Sequence, residues 1–128
     1  MAYSFENIIA WQKAHAFVLL VYRVTKHFPK DEIFGLISQF RRAAVSIEAN
    51  IAEGYKKLSK ADKLRFFNIS QGSLEECRDY IILSRDLGYI SQIEFEELHT
   101  GLETTSKFLN SYCKAIVNNN ALKKEEGM

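Results

Sequence analysis

The chain has 128 residues, a length that suits one domain burying about two thirds of its extended surface. Hydrophobic residues make up 47% and charged residues 26%, as in an ordinary globular protein, and the formal net charge is +1. This near balance excludes an overall electrostatic attraction to nucleic acid or membranes, so any such role must come from local charge.

Apolar residues recur at helical spacing along the whole chain, and one proline with six glycines argues against a many-turned β architecture. Pro29 ends the first helix because it cannot continue the hydrogen-bond ladder, Gly54 ends the second, and Gly88 ends the third. SKAD (59–62) and SQIE (91–94) are capping patterns that begin the third and fourth helices. The predicted helices span about 7–27, 31–54, 60–87 and 92–118, followed by a polar tail over 119–128 that we expect to be flexible.

Four helices joined by short turns predict an all-α fold, an up-down-up-down antiparallel four-helix bundle in a single domain over residues 1–118. Gly72 lies inside the third helix at a cost of about 1 kcal/mol relative to alanine, and we expect it to allow close approach of a neighbour. In this topology Cys77 and Cys113 lie about 16 Å apart along the bundle. That distance is too long for a disulfide, so both cysteines are predicted to be free thiols.

The second helix has two apolar sectors, although the back of a helix in a monomer is normally charged. The third helix repeats this pattern, with apolar residues at seven-residue spacing opposite its predicted core side. Scattered surface hydrophobes would need no special cause, but the recurrence favours a homo-oligomer that buries both backs. The expected interface residues are Phe34, Val45, Ala49, Ala52, Phe67, Leu74 and Ile81, and the expected core side of the third helix is Phe66, Ile69, Tyr80, Leu83 and Leu87.

A line of polar residues separates the two apolar sectors of the second helix, and Glu76 lies almost on the predicted core stripe of the third. Folding these helices about the turn near Lys57 places Arg42 within one helical turn of Glu76. We therefore predict an ion pair between Arg42 and Glu76, because half-buried charges need partners. A network that fixes register and assembly is favoured over a catalytic site. Its predicted members are Gln39, Arg42, Ser46, Asn50, Glu53 and Glu76.

The block FPKDEIFGLISQFRRAAVSIEANIAEG, with the later GSLEE and LGYI, resembles the 23S rRNA-intervening sequence protein family, also called the four helix bundle protein family. The resemblance covers nearly the whole chain, and the polar network falls inside its signature. It implies a small bacterial bundle that assembles into a ring, a homopentamer, with no enzymatic activity and an unsettled biochemical role. The family is also similar to the accessory protein of diversity-generating retroelements, a pentameric bundle that associates with reverse transcriptase and binds nucleic acid.

Local charge supports a nucleic-acid interaction at the turn KKLSKADKLR, which carries five basic side chains and one acid. A ring would repeat this turn as a basic rim that displaces counterions from phosphate, although such a turn is often merely solvated. Neither a groove-reading motif nor aromatic stacking residues accompany it, so sequence-specific recognition is not expected. The residues expected to contact RNA or DNA are Lys56, Lys57, Lys60, Lys63 and Arg65. The alternative is an oligomeric scaffold for an unidentified protein client, which needs only the oligomer.

The sequence gives no support for an enzyme, a cofactor or a metal. Di-iron bundles need two E-x-x-H motifs and two further inward glutamates, whereas this chain offers only Glu96 with His99, both predicted to face away from the core. Phosphate loops, nucleophile elbows and paired CxxC motifs do not occur. The longest apolar run, AFVLLVY, is far shorter than a membrane span, and no signal peptide is visible. We therefore predict a non-enzymatic, cytoplasmic protein without a membrane partner.

Overall fold

Four α-helices build the fold in a computed structural model, which describes the backbone of residues 3–126 and the side chains of residues 3–118. The helices are α1 (Ile9–Thr25), α2 (Leu36–Lys56), α3 (Lys60–Asp86) and α4 (Gln92–Glu126), with short 3-10 helices at Ser4–Asn7 and Lys30–Glu32. The described residues contain no strand. None of their helices combines the length and apolar character needed to cross a lipid bilayer.

The helices pack as the predicted up-down-up-down bundle. Since each connecting turn is short, successive helices are antiparallel, and α1 and α3 each contact both α2 and α4. Both predicted caps are present: Ser59 Oγ accepts a hydrogen bond from Asp62 N at 3.1 Å, and Ser91 and Glu94 exchange two hydrogen bonds. These caps satisfy backbone N–H groups that have no partner within the first turn of a helix.

Two predicted helix boundaries differ from the structure. The second helix was expected to begin near residue 31, but the 3-10 turn follows Pro29 and α2 begins at Leu36. The Glu32 carboxylate then accepts a hydrogen bond from Leu36 N at 3.3 Å and so caps α2 from outside the helix. At the other end of the chain, α4 continues to Glu126 and not only to about residue 118. The flexibility expected for residues 119–128 stays a prediction.

The close helix approach predicted at Gly72 occurs instead at Gly54. Gly54 does not end α2 but lies buried within it, where an added Cβ would stand 2.7 Å from Phe67 Cε1 and 3.0 Å from Phe66 Cβ. Gly72 is exposed on α3, and an added Cβ there would meet nothing within 4 Å. The close approach of α2 and α3 therefore occurs at Gly54, just before the turn that joins them.

The hydrophobic core receives side chains from all four helices. The expected core stripe of the second helix is buried over α2, although Tyr55 at its end and Ile33 before its start are exposed. Its expected members were Ile33, Leu36, Ile37, Phe40, Ala44, Ile47, Ile51 and Tyr55. Cys77 is buried and Cys113 half-buried, both as free thiols. Burial raises the pKa of both thiols, and the nearby Glu76 charge raises that of Cys77 further. The fully buried large side chains include Phe17, Val21, Phe40, Ile47, Ile51, Phe67, Leu98, Leu102 and Leu109.

The predicted core side of the third helix is wrong. Phe67, Leu74 and Ile81, expected to face a neighbouring subunit, are 0%, 2% and 2% exposed and lie in the core of their own chain. The expected core residues of α3 are instead exposed or only half-buried: Ile69 45%, Leu83 41% and Leu87 48% exposed, with Phe66 and Tyr80 half-buried.

Two buried serines lie on the side of α3 that faces the core. Ser70 and Ser84 are both 0% exposed, on the side of α3 that faces α2 and the core. Their hydroxyls donate to backbone carbonyls, Ser70 Oγ to Ile47 O at 2.9 Å and Ser84 Oγ to Tyr80 O at 2.7 Å. A hydroxyl satisfied in this way costs little free energy to bury. The Ser84 bond forms within α3, so only the Ser70 bond, which crosses to α2, favours the orientation that places this side of α3 in the core.

Tyr89, in the loop between α3 and α4, is tied to the start of α2. Its hydroxyl donates to Glu32 Oε2 at 2.9 Å, and its ring packs on Phe28 at a centroid distance of 5.3 Å. Gly88 before it has φ +76°, a conformation that favours glycine. The hydrogen bond to Glu32, then burial and the charges of Glu32 and Asp31, raise the pKa of Tyr89 above its ordinary value.

Stability is therefore expected to fall in alkaline solution. Below pH of about 10 the folded and unfolded chains both carry neutral Tyr89, and its hydrogen bond contributes fully. Above that pH the unfolded chain releases the proton first, so the free energy of unfolding decreases until the folded-state pKa is passed. Urea titrations from about pH 8 to pH 11 measure this loss. Tyr89→Phe should show a smaller loss, and an equal loss in both proteins would contradict the assignment.

Candidate functional site on the outer side of α2 and α3

A shallow polar groove of about 390 Å³ lies between α2 and α3 on their outer side. It brings together four members of the predicted polar network, together with three residues outside that network. The lining residues are Gln39, Arg42, Ala43, Ser46, Ser73, Glu76 and Tyr80. Two further predicted members lie outside it: Asn50 is half-buried one turn further along α2, and Glu53 is exposed.

Hydrogen bonds join the two walls of the groove. Ser73 Oγ donates to Ser46 Oγ at 2.8 Å, and Tyr80 Oη donates to Gln39 Oε1 at 3.2 Å. Asn50 Nδ2 donates to Ser46 O at 2.8 Å and to Ser46 Oγ at 3.1 Å. The two bonds between the helices, Ser73 to Ser46 and Tyr80 to Gln39, link α2 to α3, whereas the Asn50 bonds lie within α2. The role expected for the network, to fix register and assembly, stays a prediction.

The predicted ion pair between Arg42 and Glu76 is absent. Both residues line the groove and both are exposed, but within residues 3–118 neither has an oppositely charged atom within 4.0 Å. The physical reason is that Ser46 and Ser73 occupy the crossing of the two helices. These two serines meet at 2.8 Å between the two walls, whereas the longer side chains of Arg42 and Glu76 are exposed to solvent.

Tyr80 is a groove residue that the sequence interpretation placed in the core. Its ring packs on Phe40 at a centroid distance of 5.9 Å, while its hydroxyl reaches the groove. Burial first, and then the Glu76 charge, raise the pKa of Tyr80 above its ordinary value. Its position gives a usable signal, because Tyr80 follows Glu76 by four residues and therefore shares its side of the helix.

Exposed apolar side chains flank the groove on both helices. On α2 these are Val45, at 36% exposure, and the exposed Ala49, both among the predicted interface residues. On α3 and at its end they are Ile69, Leu83 and Leu87, which replace the three buried residues that the sequence interpretation chose. We call these five residues the outer face. Of the remaining predicted interface residues, Phe34 is 94% exposed in the turn before α2, and Ala52 is half-buried.

The five predicted nucleic-acid residues surround the turn between α2 and α3, and we call this set the basic turn: Lys56, Lys57, Lys60, Lys63 and Arg65. Lys57 Nζ and Arg65 Cζ each lie 4.9 Å from the centroid of the Phe66 ring. Lys63 Nζ lies 5.4 Å from the Tyr55 ring, and it also donates to Tyr55 O. Two aromatic rings therefore lie beside the basic cluster, where they contact its cations. The expectation that no aromatic residue stacks on nucleobases stays a prediction.

Asp62 is the single acidic residue of the segment 56–65 that carries the basic turn. Arg65 Nη2 lies 3.6 Å from Asp62 Oδ1, in a pair whose side chains are more than half exposed. Exposed pairs of this kind contribute little and remain open to competing anions. Lys56 and Lys60 have no acidic partner among the side chains described, so their charge is available to a ligand.

The remaining carboxylates and histidines do not assemble into a metal site within the described residues. Glu96 and His99, the single E-x-x-H pair, are both exposed on α4, as their sequence positions predicted.

Comparisons with known proteins agree on the fold. The family model described as "23S rRNA-intervening sequence protein" matches residues 6–111. The chain is also similar to a solved structure, a protein with unknown function from the S23 ribosomal protein family of Bacteroides thetaiotaomicron. That similarity has a TM-score of 0.76 at 24% identity, and it covers 82% of this chain and 98% of that one. No curated protein matches the chain.

Proposed function

We propose that this chain, which belongs to the 23S rRNA-intervening sequence protein family, is a self-assembling bundle whose basic turn binds the phosphate backbone of RNA or DNA. The observation that carries the proposal is the clustering of five cations at one end of the bundle, against the single acid Asp62. The proposed role involves no catalysis, and a cytoplasmic location belongs to the same proposal.

The geometry of the basic turn favours phosphate over bases as its ligand. Phe66 is half-buried, and its ring already contacts Lys57 and Arg65, so little of it is free to stack on a nucleobase. Cations whose neighbouring rings are not free to stack on bases bind the phosphate backbone and ignore sequence. The proposed ligand is therefore any exposed nucleic-acid backbone, bound by counterion release.

Self-assembly would multiply this charge. The basic turn joins the two helices that carry the outer face, so copies arranged in a ring about an axis parallel to the helices would bring their basic turns to the same end of the assembly. Several weak phosphate contacts on one particle then act together as a multivalent site. The subunit count that the family resemblance implies is five.

Binding to a fluorescently labelled RNA and to a DNA duplex is expected to weaken steeply as salt rises. The logarithm of the affinity should fall with the logarithm of salt concentration by about 0.9 for each duplex phosphate neutralised. Lys56→Gln with Lys60→Gln removes two unpaired cations from the basic turn and should lower this slope as well as the affinity. Fluorescence anisotropy at several salt concentrations measures both quantities.

The matched control is Lys26→Gln with Lys30→Gln, which removes two exposed lysines at the opposite end of the bundle. This pair should leave the salt slope nearly unchanged. Equal effects of the two double variants would place binding elsewhere on the protein. If the native protein binds no nucleic acid even at low salt, the scaffold alternative gains, and a nuclease-insensitive protein partner in a pull-down would support it.

A further inference from the structure

Arg42 and Glu76 are the two charged residues of the groove, and neither has an oppositely charged partner within residues 3–118, although the Tyr80 hydroxyl lies close to the Glu76 carboxylate. Gln39, Ser46, Ser73 and Tyr80 each make a hydrogen bond within the chain. Arg42 and Glu76 carry full and opposite charges, and the ion pairs of residues 3–118 include neither. The groove thus presents one free cation on its α2 wall and one free anion on its α3 wall.

The apolar outer face surrounds these two charges. Val45 follows Arg42 by one turn of α2, while Ile69 and Leu83 lie two turns before and after Glu76 on α3, with 36%, 45% and 41% of their surfaces exposed. Any partner that covers these aliphatic side chains also removes water from Arg42 and Glu76. A charge that loses its water destabilises the contact unless the partner supplies an opposite charge.

We infer that a second copy of this chain covers the outer face, with Arg42 of one subunit paired to Glu76 of the other. A second copy carries both required charges at the spacing that the groove itself sets, so its charge is complementary without further assumptions. Two subunits related by a two-fold axis form the pair twice, and a ring forms it once at each interface. The inference rests on the self-assembly in the proposed function and adds the contact that fixes its register.

Charge reversal separates a pair between subunits from a pair within one. Arg42→Glu and Glu76→Arg each place like charges opposite one another, and each should lower the association constant at least about tenfold. An equimolar mixture of the two variants restores the Arg–Glu pairs at every interface between unlike subunits, so association should recover in part; a ring of five keeps at least one interface between like subunits. The double variant Arg42→Glu/Glu76→Arg should also recover assembly. Sedimentation velocity over a range of concentrations measures association, and circular dichroism confirms that each variant is folded.

The controls are Lys107→Glu and Glu96→Arg, which make comparable charge changes at exposed positions of α4 and should leave association unchanged. Native-like assembly of both groove variants would overturn the inferred pair while leaving self-assembly intact. Loss of assembly that neither mixing nor the double variant repairs would also overturn it. A native protein that stays monomeric at all concentrations would instead remove the self-assembly of the proposed function.

Discussion

Replacing Gly54 by alanine is expected to lower the free energy of unfolding by about 1–3 kcal/mol, the usual cost of overpacking a core. The added Cβ would lie 2.7 Å from Phe67 Cε1, and Phe67 is 0% exposed, so its ring has no free space to enter. Relief therefore requires α2 and α3 to separate near their turn. Urea denaturation followed by far-ultraviolet circular dichroism measures the loss.

Gly72→Ala is the matched control and should raise the free energy of unfolding by about 0.5–1 kcal/mol. An alanine Cβ there meets nothing within 4 Å, and alanine is a better helix former than glycine at an exposed interior position. If Gly54→Ala were as stabilising as Gly72→Ala, the close contact of α2 with Phe67 would be contradicted.

The second large effect is expected for Leu74→Ala, which should lower the free energy of unfolding by about 2–5 kcal/mol. Leu74 is 2% exposed and its truncation leaves a cavity in the core between helices. Leu83→Ala makes the same chemical change at a position that is 41% exposed on the outer face. There we expect a loss of under about 1 kcal/mol in the dissociated subunit, together with weaker self-association.

Urea titrations at low protein concentration measure the stability of the subunit, and light scattering at higher concentration measures its association. The two leucines lie on opposite sides of α3, so the pair of variants decides which side faces the core. A larger stability loss for Leu83→Ala than for Leu74→Ala would contradict the observed orientation of α3 and support the one predicted from the sequence.

Helix content and bundle topology follow from the sequence because their signals are local. Pro29 and Gly88 interrupt helices where the chain turns, and Ser59 and Ser91 cap the helices that follow. Such signals need no knowledge of distant residues. Gly54 was wrongly predicted to end the second helix, because its actual role depends on a distant residue, Phe67 on α3.

The orientation of α3 could not be predicted because both of its sides are apolar at helical spacing. Ser70 and Ser84 both lie on the buried side. The Ser70 hydroxyl finds its partner, Ile47 O, only when α3 packs on α2, whereas the Ser84 hydroxyl donates to Tyr80 O within α3. Hydropathy treats both as polar surface residues. The same reasoning accounts for Tyr80, which was assigned to the core although its hydroxyl reaches the groove.

Four of the seven residues that line the groove were predictable, but their pairing was not. Turning α2 back on α3 brings Gln39, Arg42, Ser46 and Glu76 to one groove, as the sequence indicated. Which of them form contacts depends on side-chain length at the helix crossing, where Ser46 and Ser73 meet at 2.8 Å. From charge and sequence spacing alone, an ion pair between the longer side chains of Arg42 and Glu76 was predicted.

The shared ring of Phe66 has a thermodynamic consequence for any anion that reaches the end of the bundle. Long basic side chains normally lose rotational freedom when they are immobilised, at a cost of about 0.5–1.5 kcal/mol each. Lys57 and Arg65 already rest against one aromatic surface in the free protein. Part of their side-chain entropy is therefore already lost on folding. An approaching anion meets two positive charges whose spacing is set before binding.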